Sequence, residues 1–383
     1  MTASFFAQPI LNSPHGYPSR HWPLDATGQP TQQIEESRRR AEFITPIPKP
    51  KKRKGKPEQA ELDLASDVSD EEQKYHSAII NGVRAEVDKW RSLPNPNDWG
   101  VMPETARLLQ HWRHHPFSGV RPFFCQVEAV ETAIWLTEVA PTRGRMAQTF
   151  LDHLASSNED ANPGLARLAL KLATGAGKTT VMAMLIAWQT INAVRHPNSK
   201  RFTRGFLLVA PGLTIKDRLR VLLPNDADSY YKTRELVPAD LMADLERCKI
   251  VITNYHSFKL RERLEVAKGT RLLLQGRGNN ALDTQESEGQ MVQRVMPELM
   301  GLKNVMVIND EAHHCYREKP GLKVEDADLK GDDRKEAEEN NEAARLWISG
   351  LEAVNRKLGV ARVLDLSATP FFLRGSGYVE GTL

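Results

Sequence analysis

The residues best suited to chemistry lie in three short strings of the sequence. These strings are ATGAGKT at residues 173–179, DEAH at 310–313 and SAT at 367–369, and each follows an apolar run. In the first, Gly175 and Gly177 allow a sharp backbone turn because glycine has no Cβ, and the N–H groups of such a turn can approach phosphate oxygens. The first string therefore predicts a phosphate-binding loop.

A cation and a hydroxyl stand at the end of this loop. Lys178 supplies a positive charge for the β- and γ-phosphates of ATP, and the Thr179 hydroxyl can ligate Mg²⁺. The helix expected after the loop would direct the positive end of its dipole toward the anion. We therefore predict an ATP site built from Thr174, Gly175, Ala176, Gly177, Lys178, Thr179 and Thr180. The alternative is a chance GxGKT string in an ordinary turn.

The DEAH string offers two carboxylates directly after the mostly apolar run at 304–309. We predict that Asp310 holds Mg²⁺ and that Glu311 orients and deprotonates an attacking water, so that both act with Lys178 in catalysis. Asn309 is polar, and we expect it at the strand end rather than in the core. The alternative is an exposed acidic turn. A metal site in the string HHC at 313–315 is disfavoured, since no second ligand pair follows at a metal-site spacing.

Together the three strings resemble the first motor lobe of a superfamily 2 helicase or translocase. The loop has the form Ala-x-Gly-x-Gly-Lys-Thr, with Leu172 where the general phosphate loop has glycine, and this shorter form is typical of helicases. The resemblance implies that Ser367 and Thr369 hydrogen-bond toward His313. Such bonds would couple the state of the nucleotide to strand binding.

The same resemblance implies contacts with nucleic acid and with the adenine base. In such helicases, loops at the ends of two further apolar runs, here 205–212 and 249–258, contact the sugar-phosphate backbone. The candidates for this contact are Pro211, Gly212, Thr253 and Asn254. Gln126 resembles the glutamine that recognises adenine, since an amide offers one donor and one acceptor. The alternatives are ordinary strand-to-helix turns and a plain surface glutamine.

Apolar runs predict the elements that must position these residues. We expect strands within 165–172, 205–212, 249–258, 304–309 and 362–370. Residues 179–194 contain no glycine or proline and favour a helix. The prediction is an α/β fold, a RecA-like domain with a mostly parallel sheet, helices on both faces and the nucleotide at the carboxyl ends of the strands.

A late helix is also predicted from its apolar spacing, with Gly359 as its stop signal. One face of this helix is expected to carry Ala344, Trp347, Ile348, Leu351, Val354 and Leu358.

Composition sets broad limits on the class of protein. The net charge of the 383 residues is only +3, so affinity for nucleic acid cannot be inferred from it. Three scattered cysteines argue against a disulfide framework. No apolar run approaches the ~20 residues that cross a bilayer, and the first residues lack a secretory pattern. We therefore expect a soluble, cytoplasmic protein.

Three regions are predicted along the chain. Residues 1–75 form an extended, Pro-rich and charged arm that is largely disordered, 76–160 form a mostly helical part with the Gln126 region, and 161–383 form the first RecA-like lobe. The arm carries KPKKRKGK at 49–56, which is suited to phosphate contacts or to nuclear targeting. The alternative for this string is a solvated linker.

More narrowly, the chain resembles the helicase-bearing Res subunit of type III restriction–modification enzymes. The strings that carry this resemblance are PILNSP, RRRAEFITPIPKPKK, SEGQMVQRVMPELMGLKNV, NNEAARLWISGLEAVNRKLG and DLSATPFFLRGSG. The resemblance covers nearly the whole chain. It implies ATP-dependent translocation along double-stranded DNA, a DNA methyltransferase (modification) subunit as partner, and an endonuclease domain near the far end of a longer chain.

The sequence stops at Leu383, soon after the SAT string, without a recognisable second lobe, arginine finger or Pro-Asp…Asp/Glu-x-Lys nuclease pattern. We therefore expect a fragment or a truncated gene, with modest ATP-Mg²⁺ binding and no DNA-stimulated ATPase in isolation. The predicted function is the ATP-binding and hydrolysing motor lobe of a helicase in a restriction system. One alternative is a nucleotide- or DNA-binding module without turnover. Another is an unrelated P-loop enzyme such as a metabolic kinase, against which the SAT string and Gln126 count.

Overall fold

Five apolar segments of the sequence form strands, because their side chains can be buried on both faces of one sheet. The computed structural model describes residues 5–25, 29–41, 64–212, 217–261, 285–312, 315 and 332–368. The strands are β1 Arg167–Lys171, β2 Gly205–Ala210, β3 Lys249–Asn254, β4 Val305–Asp310 and β5 Val360–Ser367. All pairings are parallel, in the order β1-β5-β4-β2-β3. The predicted α/β fold with a mostly parallel sheet is confirmed.

The helices of the described chain have the following bounds. They are α1 Leu64–Arg91, α2 Pro103–His114, α3 Phe124–Ile134, α4 Arg145–Ala161, α5 Lys178–Arg195, α6 Tyr230–Thr233, α7 Met242–Leu245, α8 Glu288–Val295 and α9 Asp332–Leu358. Short 3₁₀ segments occupy Pro96–Trp99, Ala140–Thr142, Arg220–Leu222, Ala239–Leu241, Tyr255–Phe258 and Pro297–Leu299, and a π-helical segment occupies Trp135–Val139. Among these described residues, no helix combines the length and the apolar character needed to cross a bilayer.

Contacts divide the chain into two compact units. The first comprises Met1–Val101 with Arg121–Phe150, and the second comprises Met102–Val120 with Leu151–Leu383. The sheet belongs entirely to the second unit. The boundaries predicted after residues 75 and 160 remain predictions.

Strand order brings the three functional strings to one edge of the sheet. Strand β5 lies between β1 and β4, with Lys171 in register with Ser367 and Asp310 in register with Leu366. Because parallel strands end at the same edge, the loop after β1, the acidic pair after β4 and the end of β5 are neighbours.

Two helices cover this sheet with residues that the apolar pattern singles out. Helix α5 is buried continuously from Thr180 to Asn192, which explains its lack of a polar face. In α9 the predicted apolar face is confirmed, because Ala344, Trp347, Ile348, Leu351, Val354 and Leu358 are all buried. The helix ends before Gly359, whose φ of 77° lies in the left-handed region that suits a glycine stop.

Charge pairs tie Arg38 and the end of α1 to α3 within the first unit. The Arg38 guanidinium donates to both carboxylate oxygens of Glu128, at 2.6 and 2.5 Å. Arg91 donates to the buried Glu131 at 2.6 Å and lies over the Phe124 ring. The prediction of an extended arm did not include the Arg38 contact, because the pair joins residues 90 positions apart and composition cannot reveal it.

Candidate functional site

The loop between β1 and α5 has the backbone conformation of an anion cradle. Gly175 and Gly177 have φ values of 80° and 78°, a region that costs other residues energy and favours glycine. The Leu172 N–H donates to the Ser367 carbonyl at 2.9 Å, which fixes the start of the loop against β5. Helix α5 begins at Lys178 with a glycine at its N-cap, so that no N-cap side chain covers the first-turn N–H groups. The loop therefore fits a phosphate group.

The lysine of the loop lies against the acidic pair. Lys178 Nζ is 2.5 Å from Glu311 Oε1, and the two side chains are 14% and 32% exposed. The sequence separation of 133 residues is bridged because β1 and β4 both end at this edge. The ammonium and the carboxylate form an ion pair, so that an entering triphosphate must compete with Glu311 for the lysine.

The two carboxylates of the DEAH string occupy a strained turn. Glu311 has a φ of 50°, unusual for a residue with a side chain, and its N–H donates to Asp310 Oδ1 at 3.2 Å. Such a conformation costs on the order of 1–3 kcal/mol and persists where the surroundings enforce it. Burial, and then the neighbouring Glu311 carboxylate, raise the pKa of Asp310, while Lys178 lowers it. A cation held by Asp310 would offset that repulsion, so the residue fits Mg²⁺.

Thr179 is the other predicted Mg²⁺ ligand, and it lies in the first turn of α5 beside Lys178. Across the described part of the chain, no three His, Cys, Asp or Glu side chains come together as a metal site. An open Mg²⁺ site, formed by the Asp310 carboxylate, the Thr179 hydroxyl and the phosphates of a substrate, remains a prediction.

The coupling residues are only partly described. Ser367 ends β5 and is fully buried, and its carbonyl accepts the hydrogen bond from Leu172. His313 and Thr369 lie outside the described residues, as does the basic string at 49–56. The hydrogen bonds from Ser367 and Thr369 toward His313 remain a prediction.

The four nucleic-acid candidates lie at the same edge of the sheet, after β2 and at the end of β3. Pro211 and Gly212 follow β2 and are partly exposed, whereas Thr253 and Asn254 are buried. Asn254 Oδ1 accepts the N–H of Ser257 at 3.1 Å and so caps the 3₁₀ segment that follows. This capping role of Asn254 agrees with the alternative of an ordinary strand-to-helix turn. The contact of these residues with nucleic acid remains a prediction.

Gln126 has a local role in α3, within the first unit. Its Oε1 accepts the Phe123 N–H at 2.9 Å, which caps the start of the helix, and the side chain is 4% exposed. The alternative of a plain surface glutamine is therefore wrong. Recognition of adenine by Gln126 remains a prediction. It requires the amide to give up its hydrogen bond with the Phe123 N–H or to bind adenine while keeping that bond.

Asn309 is the next-to-last residue of β4, near the strand end as expected, but the expectation that it lies outside the core is wrong. The residue is fully buried within β4, where its Nδ2 donates to Asp365 Oδ1 at 2.7 Å and its Oδ1 accepts the Trp347 indole N–H at 3.1 Å. A buried amide costs little once both ends are hydrogen-bonded. The partners come from β5 and α9, so the local sequence gave no sign of them.

Two arginines near the site were not predicted from the sequence. Arg234 donates to Thr180 Oγ1 at 2.9 Å, and its guanidinium lies 3.6 Å from the centroid of the Tyr230 ring. Arg218 is among the charges that lower the pKa of Asp310. Neither belongs to a recognisable string, and only the packing of the segment after β2 against α5 brings Arg234 to the loop.

Comparison with known families agrees with this geometry. The family model described as type III restriction enzyme, res subunit, matches residues 121–372. No curated protein and no solved structure gives a significant match to the chain.

Proposed function

The chain belongs to the res subunit family of type III restriction enzymes, with a helicase-like, ATP-binding motor domain, and we propose that its second unit binds and hydrolyses ATP to drive movement on DNA. The observation that carries the proposal is the contact between Lys178 and Glu311 at 2.5 Å. It joins the cation of the phosphate loop to the carboxylate of the DEAH string, where a phosphate and an attacking water would meet.

This contact suggests how binding prepares the chemistry. The loop N–H groups and Lys178 bind the phosphates, and to do so the ammonium leaves Glu311. The released carboxylate can then orient a water and accept its proton. Asp310 and Thr179 would hold Mg²⁺, which would neutralise charge on the phosphates. Glu311 is thus restrained until the triphosphate takes its partner, which would limit hydrolysis to the loaded site.

The partners of the proposed motor follow from the family. We propose double-stranded DNA as the track, with Pro211, Gly212, Thr253 and Asn254 at the edge nearest to it. A DNA methyltransferase subunit that recognises the site completes the proposed restriction system, with DNA cleavage as its outcome.

A second candidate function is a module that binds nucleotide or DNA without turnover. The ion pair between Lys178 and Glu311 favours it in one respect, because both groups needed for hydrolysis are engaged with each other. The two candidates differ in phosphate release and agree in nucleotide binding.

A titration tests the shared part of both candidates. A fluorescent ATP analogue is titrated against the 383-residue chain, Lys178→Ala and the matched control Lys200→Ala, which removes an exposed lysine after α5. Hydrogen bonds to charged groups contribute about 1.5–3 kcal/mol, so Lys178→Ala should weaken binding by about 10- to 100-fold. The control should bind like the parent, and thermal unfolding should show all three folded.

Equal affinities of the parent and Lys178→Ala would exclude the phosphate loop as the nucleotide site. Steady-state phosphate release that Glu311→Gln abolishes, measured with and without duplex DNA, would then favour the motor over the module without turnover.

A further inference from the structure

A fully buried ion pair joins two strands behind the acidic pair. Arg167 opens β1 and Asp365 lies in β5, and Arg167 Nε donates to Asp365 Oδ2 at 2.7 Å. The two side chains are 4% and 3% exposed. Such a pair loses much hydration on folding, and replacement of buried pairs by apolar residues is often neutral or stabilising. Stability alone is therefore a weak reason for a charged pair in this core.

The other hydrogen bonds of the pair reach the segments on both sides of the acidic turn. Asp365 Oδ1 accepts from Asn309, the residue just before Asp310, at 2.7 Å. One Arg167 Nη donates at 2.9 Å to the carbonyl of Cys315, four residues after Glu311. The Arg167 network is completed by two further side chains, and its members are Asn162, Arg167, Asn309, Cys315, Trp347 and Asp365.

The network holds the chain on both sides of the acidic turn, before Asp310 and after Glu311. Asn309 fixes the last part of β4, while Cys315, whose N–H donates to the Ala312 carbonyl at 2.9 Å, fixes the chain where it leaves the turn. Between these anchors lies Glu311 with its strained φ of 50°. A strained residue keeps its conformation only when the surrounding structure over-determines it.

We propose that Arg167 and Asp365 are positioning residues, which hold the turn bearing Asp310 and Glu311 in the geometry that receives Mg²⁺. The inference rests on the proposed function. The pair acts through the turn, as the hydrogen-bonding partners of a metal ligand act through that ligand, and loss of such partners typically weakens metal affinity by about 10- to 100-fold.

The test measures the Mg²⁺-dependent part of nucleotide affinity. A fluorescent ATP analogue is titrated in EDTA and in Mg²⁺ against the 383-residue chain, and the ratio of the two dissociation constants gives the gain from Mg²⁺. The variants are Asp365→Asn, which keeps the shape, and Arg167→Met/Asp365→Leu, which replaces the pair by apolar side chains. Asp310→Ala marks complete loss of the gain.

A matched control separates positioning from general destabilisation. Arg91→Met/Glu131→Leu removes another ion pair, of which the carboxylate is fully buried, in the first unit. Thermal unfolding is recorded for every variant, and affinity in EDTA reports whether the phosphate loop is intact.

We expect both network variants to keep affinity in EDTA within about twofold of the parent and to lose the Mg²⁺ gain by about tenfold or more. The control pair should keep the gain whatever its unfolding temperature. A folded network variant with the parental gain would overturn the positioning role. So would equal losses in EDTA and Mg²⁺, because they would mean a structural role only. A parent that binds no analogue in either buffer would instead overturn the proposed function.

Discussion

Replacement of Glu311 by glutamine should strengthen nucleotide binding while it removes the proposed base. Glu311 Oε1 accepts a hydrogen bond from Lys178 Nζ at 2.5 Å, and ATP must break this contact to bind the lysine. Glutamine keeps the shape but not the charge, so Lys178 becomes available at lower cost. The same change removes one negative charge from the neighbourhood of the triphosphate, which acts in the same direction.

The size of the gain follows from the exposure of the pair. Exposed ion pairs contribute about 0–1 kcal/mol, and hydrogen bonds to charged groups contribute about 1.5–3 kcal/mol. The side chains of Lys178 and Glu311 are 14% and 32% exposed, so solvent partly screens their contact. We take the free energy of this contact as about 1 kcal/mol. Since 1.4 kcal/mol corresponds to tenfold in affinity, Glu311→Gln should bind ATP about fivefold more tightly in EDTA.

The assay is the fluorescent ATP titration in EDTA at low and high ionic strength. The control is Glu298→Gln, which removes an exposed carboxylate from the 3₁₀ segment before β4. The gain should shrink in ~1 M salt, where the Debye length is only about 3 Å. In any preparation with measurable turnover, the variant should be about 10²- to 10⁴-fold slower. An affinity equal to or weaker than that of the parent at low salt would refute the competition between Glu311 and the nucleotide.

Two further predictions concern groups near the site. Arg234→Met should weaken binding of the ATP analogue about fivefold, because a guanidinium bound to Thr180 Oγ1 adds positive charge beside the loop. The matched control is Arg220→Met, which removes an exposed arginine paired with Asp226 and Asp228. Equal affinities of the parent and Arg234→Met would exclude a role for Arg234. Burial raises the pKa of the Cys315 thiol to about 12, so N-ethylmaleimide at pH 8 should modify Cys315 only on unfolding. Labelling of Cys315 in the native protein, detected by mass spectrometry, would contradict its burial.

The parts of the fold that are local in sequence could be predicted from it. Phe206–Ala210 forms an uninterrupted apolar run, which suits a strand buried on both faces, and Gly359 marks the end of α9 because it adopts a φ of 77°. The phosphate loop was recognisable for the same reason, since Gly175 and Lys178 act within one short segment.

The features that sequence reasoning missed depend on contacts between distant residues. The burial of Asn309 could not be predicted because its partners Asp365 and Trp347 lie 56 and 38 positions away. Arg234 reaches Thr180 across 54 positions, and its string carries no pattern of its own. Gln126 shows a third limit, because a single amide suits both helix capping and base recognition, and spacing does not separate the two.

The position of β5 in the sheet has a consequence for the folding of the chain during synthesis. Strand β5, which lies between β1 and β4 in the order β1-β5-β4-β2-β3, is the last of the described strands to be made. Until it emerges, β1 and β4 each present an unpaired edge, which is a site for wrong pairing with other chains. Arg167 also has no Asp365 to pair with until 198 more residues have been synthesised. Pairings between such distant segments form slowly, so the nascent chain exposes these edges until β5 is inserted.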